Sequence, residues 1–347
     1  MSVWNRSFRI AVSIGLASAL LLIVACSPKG SGTESGPIQL QGMGATFPNP
    51  LYQKWVSEYG KLHANIKIDY QSQGSGAGIK QIKEQTVDFG ASDAPMKDED
   101  LKSAPAEILH IPTVLGAVVV TYNLADVTQK LHFAPDVIAD IFLGKIKKWN
   151  DPRITADNTG AKLPASDITV VHRSEGSGTS AVFTDYLSKV SPEWKEKVGA
   201  GPSPSWPVGI GGKGNEGVTG QVKNTPNTIA YVELAYAVQN KLPVAQVKNA
   251  NGTFVEPSIE SVTAAAAASA ANTPDDLRVS ITNAPGANVY PISSYTYILV
   301  YKNQKDATKG KALIDFLWWG IHDGQSFATP LEYARCSPVA SPVASRR

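Results

Sequence analysis

Three times along this chain, a short run of strand character ends in a cluster of glycine and small hydroxyl residues, and each cluster opens an apolar pattern at helical spacing. No other feature restricts the fold as much. Ile38-Gln39-Leu40-Gln41 and Ile66-Lys67-Ile68-Asp69-Tyr70 alternate apolar and polar residues, and Ile168 to Val171 is β-branched, so all three read as strands. The clusters that follow are Gly42-Met43-Gly44-Ala45-Thr46-Phe47, Gly74-Ser75-Gly76-Ala77-Gly78 and Gly176-Ser177-Gly178-Thr179-Ser180. After them come Phe47, Leu51, Tyr52, Trp55, Val56 and Tyr59; then Ile79 and Ile82; then Val182, Phe183, Tyr186, Leu187 and Val190, all spaced for one face of a helix. A repeated strand, Gly/Ser loop, helix unit predicts an α/β protein with mostly parallel sheets flanked by helices. Its binding loops should lie at the strand C-termini.

The ends of the chain set its address. Arg6 and Arg9 precede an uncharged apolar run from Ile10 to Ala25, which reads as a secretory signal over residues 1–25. Ile23-Val24-Ala25-Cys26 resembles the lipobox of bacterial lipoproteins, which implies that Cys26 is lipidated and becomes the mature N-terminus. The expected protein is extracytoplasmic, in a periplasm or on the outer face of the cell membrane, held by lipid. Residues 26–37, rich in Ser, Gly and Pro, form a tether with a reach of roughly 18 Å. No later run approaches the ~18–20 apolar residues of a membrane-spanning helix. About 300 residues remain, more than one compact core usually holds, so two domains are expected. Val114 to Thr121 and Tyr295 to Tyr301 are the apolar stretches where the chain would cross between them. This makes the first domain discontinuous, residues 38–114 plus 290–335, with a second domain over 115–289 and a disordered tail over 336–347 that repeats Ser-Pro-Val-Ala. Ala264 to Ala271 reads as a surface helix. With Cys26 lipidated, Cys336 has no partner for an intramolecular disulfide.

The chain has 32 Lys and Arg against 30 Asp and Glu; without Arg6 and Arg9 the balance is 30 to 30. A formally neutral protein has no long-range field for anions and no nucleic-acid footprint. Any anion site must therefore be local. The glycine clusters supply one, because the first backbone N–H groups of a helix lack intrahelical partners and lie at the positive end of its dipole. Thr46, Ser75, Ser177 and Thr179 add hydroxyl donors, and Arg173, at the end of a strand just before the third cluster, adds a fork matching two oxygens of a tetrahedral anion. Asp93 has the wrong charge for an anion unless the anion carries a proton. Phosphate near neutral pH does and sulfate does not, so a buried carboxylate accepts from one and repels the other. Such donor and acceptor sites discriminate by roughly 10⁴–10⁵. Glu175 is a second candidate acceptor.

Enzymatic readings find little support. Gly209-Ile210-Gly211-Gly212-Lys213-Gly214 fits a dinucleotide fingerprint, but Trp206-Pro207 stands where a clean strand is needed and Thr225-Pro226 follows too soon for a full helix, so it reads as a cleft-lining loop. Lys213 is followed by Gly214, not Ser or Thr, so it is not a P-loop either. The histidines, His63, His110, His132, His172 and His322, have no metal-ligand spacing, and His172, beside Arg173, should face the opposite side of its strand. A phosphatase needs a nucleophile or metal cluster. The expectation is a binding protein with no cofactor and no metal; sulfate, molybdate or a phosphonate are the competing ligands.

Gly44-Ala45-Thr46-Phe47-Pro48, Asp88-Phe89-Gly90-Ala91-Ser92-Asp93-Ala94-Pro95, Phe142-Leu143-Gly144-Lys145-Ile146-Lys147-Lys148-Trp149, Gly176-Ser177-Gly178-Thr179-Ser180 and Gly211-Gly212-Lys213-Gly214-Asn215, in this order, resemble the phosphate-binding subunit of bacterial high-affinity phosphate ABC importers. The resemblance runs from about Gly42 to Tyr333. It implies a two-lobed fold of the periplasmic-binding-protein type (type II) that closes around phosphate in the interlobe cleft, works as a monomer, and delivers its ion to ABC permease subunits with their ATPase. It carries ligand roles onto Thr46, Phe47 (through its backbone), Ser75, Asp93, Arg173, Ser177, Gly178 and Thr179. Two departures stand out. Glu175 replaces the family's usual Asp and is one methylene longer. The chain closes on Arg335-Cys336 and the repeat where the family pattern leads one to expect a closing helix, whose loss would expose apolar surface on the first domain.

Overall fold

The computed structural model describes residues 36–336. The expected signal, Cys26 with most of its tether, and the chain beyond Cys336 lie outside the described residues. Among the described residues no helix is long and apolar enough to cross a membrane.

The first strand, β1 (Ile38–Gly44), leads through its glycine turn into α1 (Asn49–Leu62), and β2 (Ile66–Ser72) leads into α2 (Ser75–Lys83). Then come β3 (Phe89–Ser92), the short α3 (Asp98–Lys102) and the long β4 (Ile108–Asn123). A second group follows: β5 (His132–Phe133), α4 (Pro135–Phe142), α5 (Pro152–Asp157), β6 (Thr169–Arg173), α6 (Gly178–Val190), α7 (Pro192–Lys197), β7 (Ile210–Gly212) and α8 (Gly214–Asn224). It continues with β8 (Thr228–Glu233), α9 (Leu234–Gln239), β9 (Gln246–Lys248), β10 (Phe254–Val255) and α10 (Ile259–Ser269). The chain then returns through β11 (Ser293–Tyr301), α11 (Ala307–Ile321) and β12 (Ala334–Arg335).

Hydrogen bonding joins the main strands into one path, β2-β1-β3-β11-β4-β8-β6-β7, with β12 on β4, while β10-β9-β5 form a small separate sheet. Within each group β1 pairs in parallel with β2 and β3, and β6 with β7 and β8. The connecting strands β4 and β11 run antiparallel to their neighbours. β4 belongs to both groups. Its residues Ile108–Ala117 pair with β11, and Val118–Asn123 pair with β8. This is the two-lobed α/β arrangement expected from the repeated unit, with one strand running through both halves instead of two wholly separate sheets.

Each half has its own aromatic core. The buried face of α1 carries Leu51, Tyr52, Trp55 and Tyr59, at the spacing read from the sequence; Trp55 donates from Nε1 to the Gly324 carbonyl at 2.8 Å, and Tyr59 meets the Phe316 ring of α11 edge-on. In the other half Phe142, Phe183, Trp206 and Tyr231 pack ring against ring. The alanine-rich α10 starts in a capping box between Ser258 and Ser261 and buries only the face with Val262 and Ala265, as befits a surface helix. Two details differ from expectation. Thr225-Pro226 leaves room for a complete 11-residue α8, because a proline only requires the helix to stop one or two residues before it. Cys336, placed at the head of the tail, is instead buried at 6% exposure and donates its N–H to Gln325 Oε1 at 3.1 Å, since β12 seats it against the first core.

The first glycine turn is where packing and site placement meet. Gly44 has φ of +150°, accepts from the Gln73 and Gly74 amides through its carbonyl at 3.0 and 2.8 Å, and passes so close to β3 that a Cβ would lie 2.2 Å from the Ala91 carbonyl oxygen. Backbone cannot yield there as a side chain would. Gly44→Ala is therefore expected to lower stability by about 1–3 kcal/mol or more through overpacking, read as a lower urea midpoint; an unchanged midpoint would contradict this account of the turn.

Candidate functional site

The glycine turns converge because each sits at the C-terminal end of a strand. Thr46 lies in the turn from β1 to α1, Ser75 is the first residue of α2, Ser177 caps α6, and Gly178 and Thr179 open that helix. A fourth element joins them: β7 delivers Gly214 and Asn215 at the start of α8. Asp93 follows β3 directly, and Arg173 is the last residue of β6. Thr46, Ser75, Asp93, Arg173, Ser177 and Thr179 are each exposed by 2% or less.

Hydrogen bonds tie these residues into one polar cluster. Arg173 donates from Nε to Glu175 Oε1 at 2.9 Å, pairs with the same carboxylate through Nη2, and donates from Nη1 to Thr179 Oγ1 at 3.2 Å. The longer Glu175 side chain also reaches the N-terminus of α8, where the Gly214 amide donates to both its oxygens at 3.2 and 3.3 Å. Ser177 spends its oxygen on the cap, accepting from the Ser180 amide at 3.0 Å. Phe47 contributes differently: its ring packs against Gly116 and Tyr333, its carbonyl accepts from Tyr333 Oη at 2.7 Å, and its N–H lies in the turn beside Thr46.

The two halves touch across this cluster. The Gly76 amide donates to the Gly176 carbonyl at 2.8 Å, so the second and third glycine turns are bonded to each other. Gly178 lies against Ser75 and Asp93 so closely that a Cβ would come within 2.3 Å of Ser75 Oγ and 2.4 Å of Asp93 Oδ2. Beside this contact a cavity of about 240 Å³ runs between the halves, with Ser75, Asp93 and Gly178 on its wall.

Asp93 sets the chemistry. Its Oδ1 accepts from Thr296 Oγ1 at 2.8 Å and its amide donates to Ser75 Oγ at 3.3 Å, but Oδ2 is fully buried and has no hydrogen-bond partner. Burial outweighs the hydrogen bond from Thr296, the nearby Arg173 charge and the adjacent Ser75 hydroxyl, and raises the carboxyl from its ordinary value to about 7. An unpartnered carboxylate oxygen among helix N-termini and hydroxyls can accept a hydrogen bond only from a group that carries a proton.

Of the residues read from the sequence, the structure gathers Thr46, Ser75, Asp93, Arg173, Glu175, Ser177, Gly178 and Thr179 into this cluster, with Phe47 at its edge. It adds several that periodicity could not find. Asn215 is fully buried and bonded to both Thr46 and Thr179. Thr296 comes from β11, two hundred residues further along the chain from Asp93. Tyr231 accepts from the Arg173 amide at 3.1 Å and bonds Ser180, and Tyr236 donates to the Thr46 carbonyl at 2.6 Å. Only Asn215 carried a sequence signal, as the last residue of the Gly211–Asn215 motif. His172 stacks on Trp206, away from the cluster, as strand alternation requires.

Comparison with known proteins identifies the family. Residues 30–318 match a PBP superfamily domain. A phosphate-binding protein PstS of Pasteurella multocida is 47% identical over 316 residues, covering 91% of this chain and 90% of that protein. Another, from Xylella fastidiosa (strain 9a5c), is 45% identical over 309 residues, covering 89% and 84%. Among solved structures, a phosphate binding protein from Stenotrophomonas maltophilia superposes with a TM-score of 0.67 at 21% identity over 89% of this chain and 93% of that one. An ABC-type phosphate transport receptor from Vibrio cholerae does so with a TM-score of 0.55 at 15% identity over 86% and 100%. At these identities the solved structures speak for the fold alone, whereas the sequence relatives match from one half of the molecule through the other. The chain belongs to the PBP superfamily and, within it, to the PstS family of phosphate-binding proteins.

Proposed function

We propose that this protein captures inorganic phosphate outside the cytoplasm, between its two halves, and hands the ion unchanged to an ABC importer. The observation that carries the reading is Asp93 Oδ2, a buried carboxylate oxygen without a partner beside the hydroxyls of Thr46, Ser75 and Thr179 and the Arg173 guanidinium, whereas the other carboxylate of the cluster, Glu175, is bonded to Arg173 and the Gly214 amide. In this reading Thr46, the Phe47 amide, Ser75, Arg173, Ser177, Gly178 and Thr179 donate to the phosphate oxygens, and Asp93 accepts the proton that marks phosphate. Glu175 braces the guanidinium and does not itself touch the ion. Charge-assisted bonds of this kind contribute about 1.5–3 kcal/mol each.

The lobes we assign are residues 38–114 with 290–335, and residues 115–289. They separate to admit the ion and close over it, a hinge motion about the connecting strands. Lipidation at Cys26 would hold the monomer on a membrane near the permease subunits and their ATPase. Family membership and the lipobox-like sequence support this placement.

Two measurements test the reading. Calorimetric titration at pH 8 should show the wild type taking phosphate at least 10³-fold more tightly than sulfate, and Asp93→Asn should lose most of that preference, because an amide can donate to sulfate where a carboxylate repels it. A preference that survives the substitution intact would remove Asp93 from the selection.

The second concerns stability. Folding raises the Asp93 carboxyl from 3.8 to about 7, so between these values the folded chain holds a proton that the unfolded chain has released. The Asp93 contribution to stability is therefore lost as pH rises through that window, by about 1.4 kcal/mol per unit. In phosphate-free buffer, the stability of wild type relative to Asp93→Asn should fall by about 2–3 kcal/mol between pH 5 and pH 8. A difference that stays flat with pH would show that Asp93 is not buried as a carboxylate.

A further inference from the structure

Thr46 and Thr179 come from different halves of the molecule, yet the same side chain holds both. Asn215 donates from Nδ2 to Thr46 Oγ1 at 2.8 Å and to Thr179 Oγ1 at 3.1 Å, and its backbone amide donates to Thr46 Oγ1 at 3.2 Å. Thr179 Oγ1 also accepts from Arg173 Nη1. Each hydroxyl oxygen therefore receives two hydrogen bonds. A hydroxyl has one hydrogen and two acceptor lone pairs, so with both pairs occupied only the hydrogen is left to interact further.

The direction of the Asn215 amide is itself fixed. Its Oδ1 accepts from the Glu233 backbone N–H at 3.0 Å. That N–H can only donate, so a flipped amide would set NH₂ against it and turn the carbonyl oxygen toward the threonines. Asn215 is fully buried, and water offers no substitute for any of these bonds.

We infer that Asn215 is a positioning residue for the anion. By occupying the acceptor capacity of Thr46 and Thr179, it makes both hydroxyls obligatory donors toward the cleft. Its two bonds to Thr46 also tie the turn between β1 and α1 to the start of α8 in the other half, contacts that exist only when the two halves are together. The role suits an acceptor-rich ligand and opposes one that would have to donate to these hydroxyls. This inference rests on the phosphate reading above and goes beyond it, since Asn215 acts through the threonines and not on the ion.

The test is a double-mutant cycle by calorimetry with inorganic phosphate, with stopped-flow release rates, on the full chain. Asn215→Ala should weaken phosphate binding by about 10- to 100-fold, mainly through faster release. In a Thr46→Val, Thr179→Val background the same substitution should cost less than about threefold, because the hydroxyls it orients are gone. If Asn215→Ala does not fold, the isosteric Asn215→Asp carries the test. Its carboxylate would draw the threonine hydrogens to itself, and a loss of about 100-fold or more is expected. Full-sized loss in both backgrounds, or phosphate binding within threefold of wild type for the folded Asn215 variant, would overturn the inference while leaving the phosphate reading intact. A wild-type chain that takes up no phosphate would overturn both.

Discussion

A carboxylate sealed at the junction of two half-molecules, with one oxygen left unbonded, is the constraint on which the rest of the structure turns. Leaving a buried polar atom unpaired costs about 1–3 kcal/mol, more when it is charged. A chain tolerates that only where something else is gained. Around Asp93 the gain is visible in what has been assembled: Arg173 at the end of β6, the hydroxyls of Thr46, Ser75 and Thr179, and the first amides of α6, all belonging to elements whose placement depends on glycine turns too tight for any other residue. The Gly178 backbone can meet Asp93 and Ser75 only because it has no side chain. The long β4, shared by both halves, makes it possible for these turns to face one another at all.

The same constraint explains how a chain with no net positive field can hold an anion. Arg173 is neutralised by Glu175, which in turn bonds the Gly214 amide at the start of α8. One Glu175 carboxylate thus serves both the guanidinium and a helix N-terminus. The positive potential is thus spread over fixed dipoles and one braced guanidinium, where an ion can be held by hydrogen-bond geometry instead of by bulk charge.

Much of this was legible in the sequence because it is local. Strand alternation, glycine clusters and the helical spacing of Leu51, Tyr52, Trp55 and Tyr59 are properties of neighbours along the chain, and they located β1, β2, β6, α1, α2 and α6 to within a few residues. Arg173 could be singled out because it adjoins a strand end, and Asp93 because it is an acid within the Asp88–Pro95 motif that an anion tolerates only if it carries a proton. Asn215, Thr296 and Tyr231 could not be given roles, because nothing near them in sequence says that they meet Thr46, Asp93 and Arg173; those meetings are products of the sheet order. The length of α8 is hidden for a related reason, since a proline marks where a helix must stop and not how long it has been. Cys336 illustrates the opposite limit, a residue whose sequence surroundings look tail-like while β12 secures it in the core.

The central claim is that one oxygen of the ligand lies on Asp93 Oδ2 and shares a proton with it. An atomic-resolution crystal structure of this protein grown with phosphate at pH 8 tests it most directly. The account predicts the ion enclosed by Thr46, Ser75, Arg173 and Thr179, with one oxygen about 2.5–2.7 Å from Asp93 Oδ2, the distance of a hydrogen bond between a hydroxyl and a carboxylate. An ion bound elsewhere, or bound in the cleft with every oxygen beyond hydrogen-bond reach of Asp93, would contradict it.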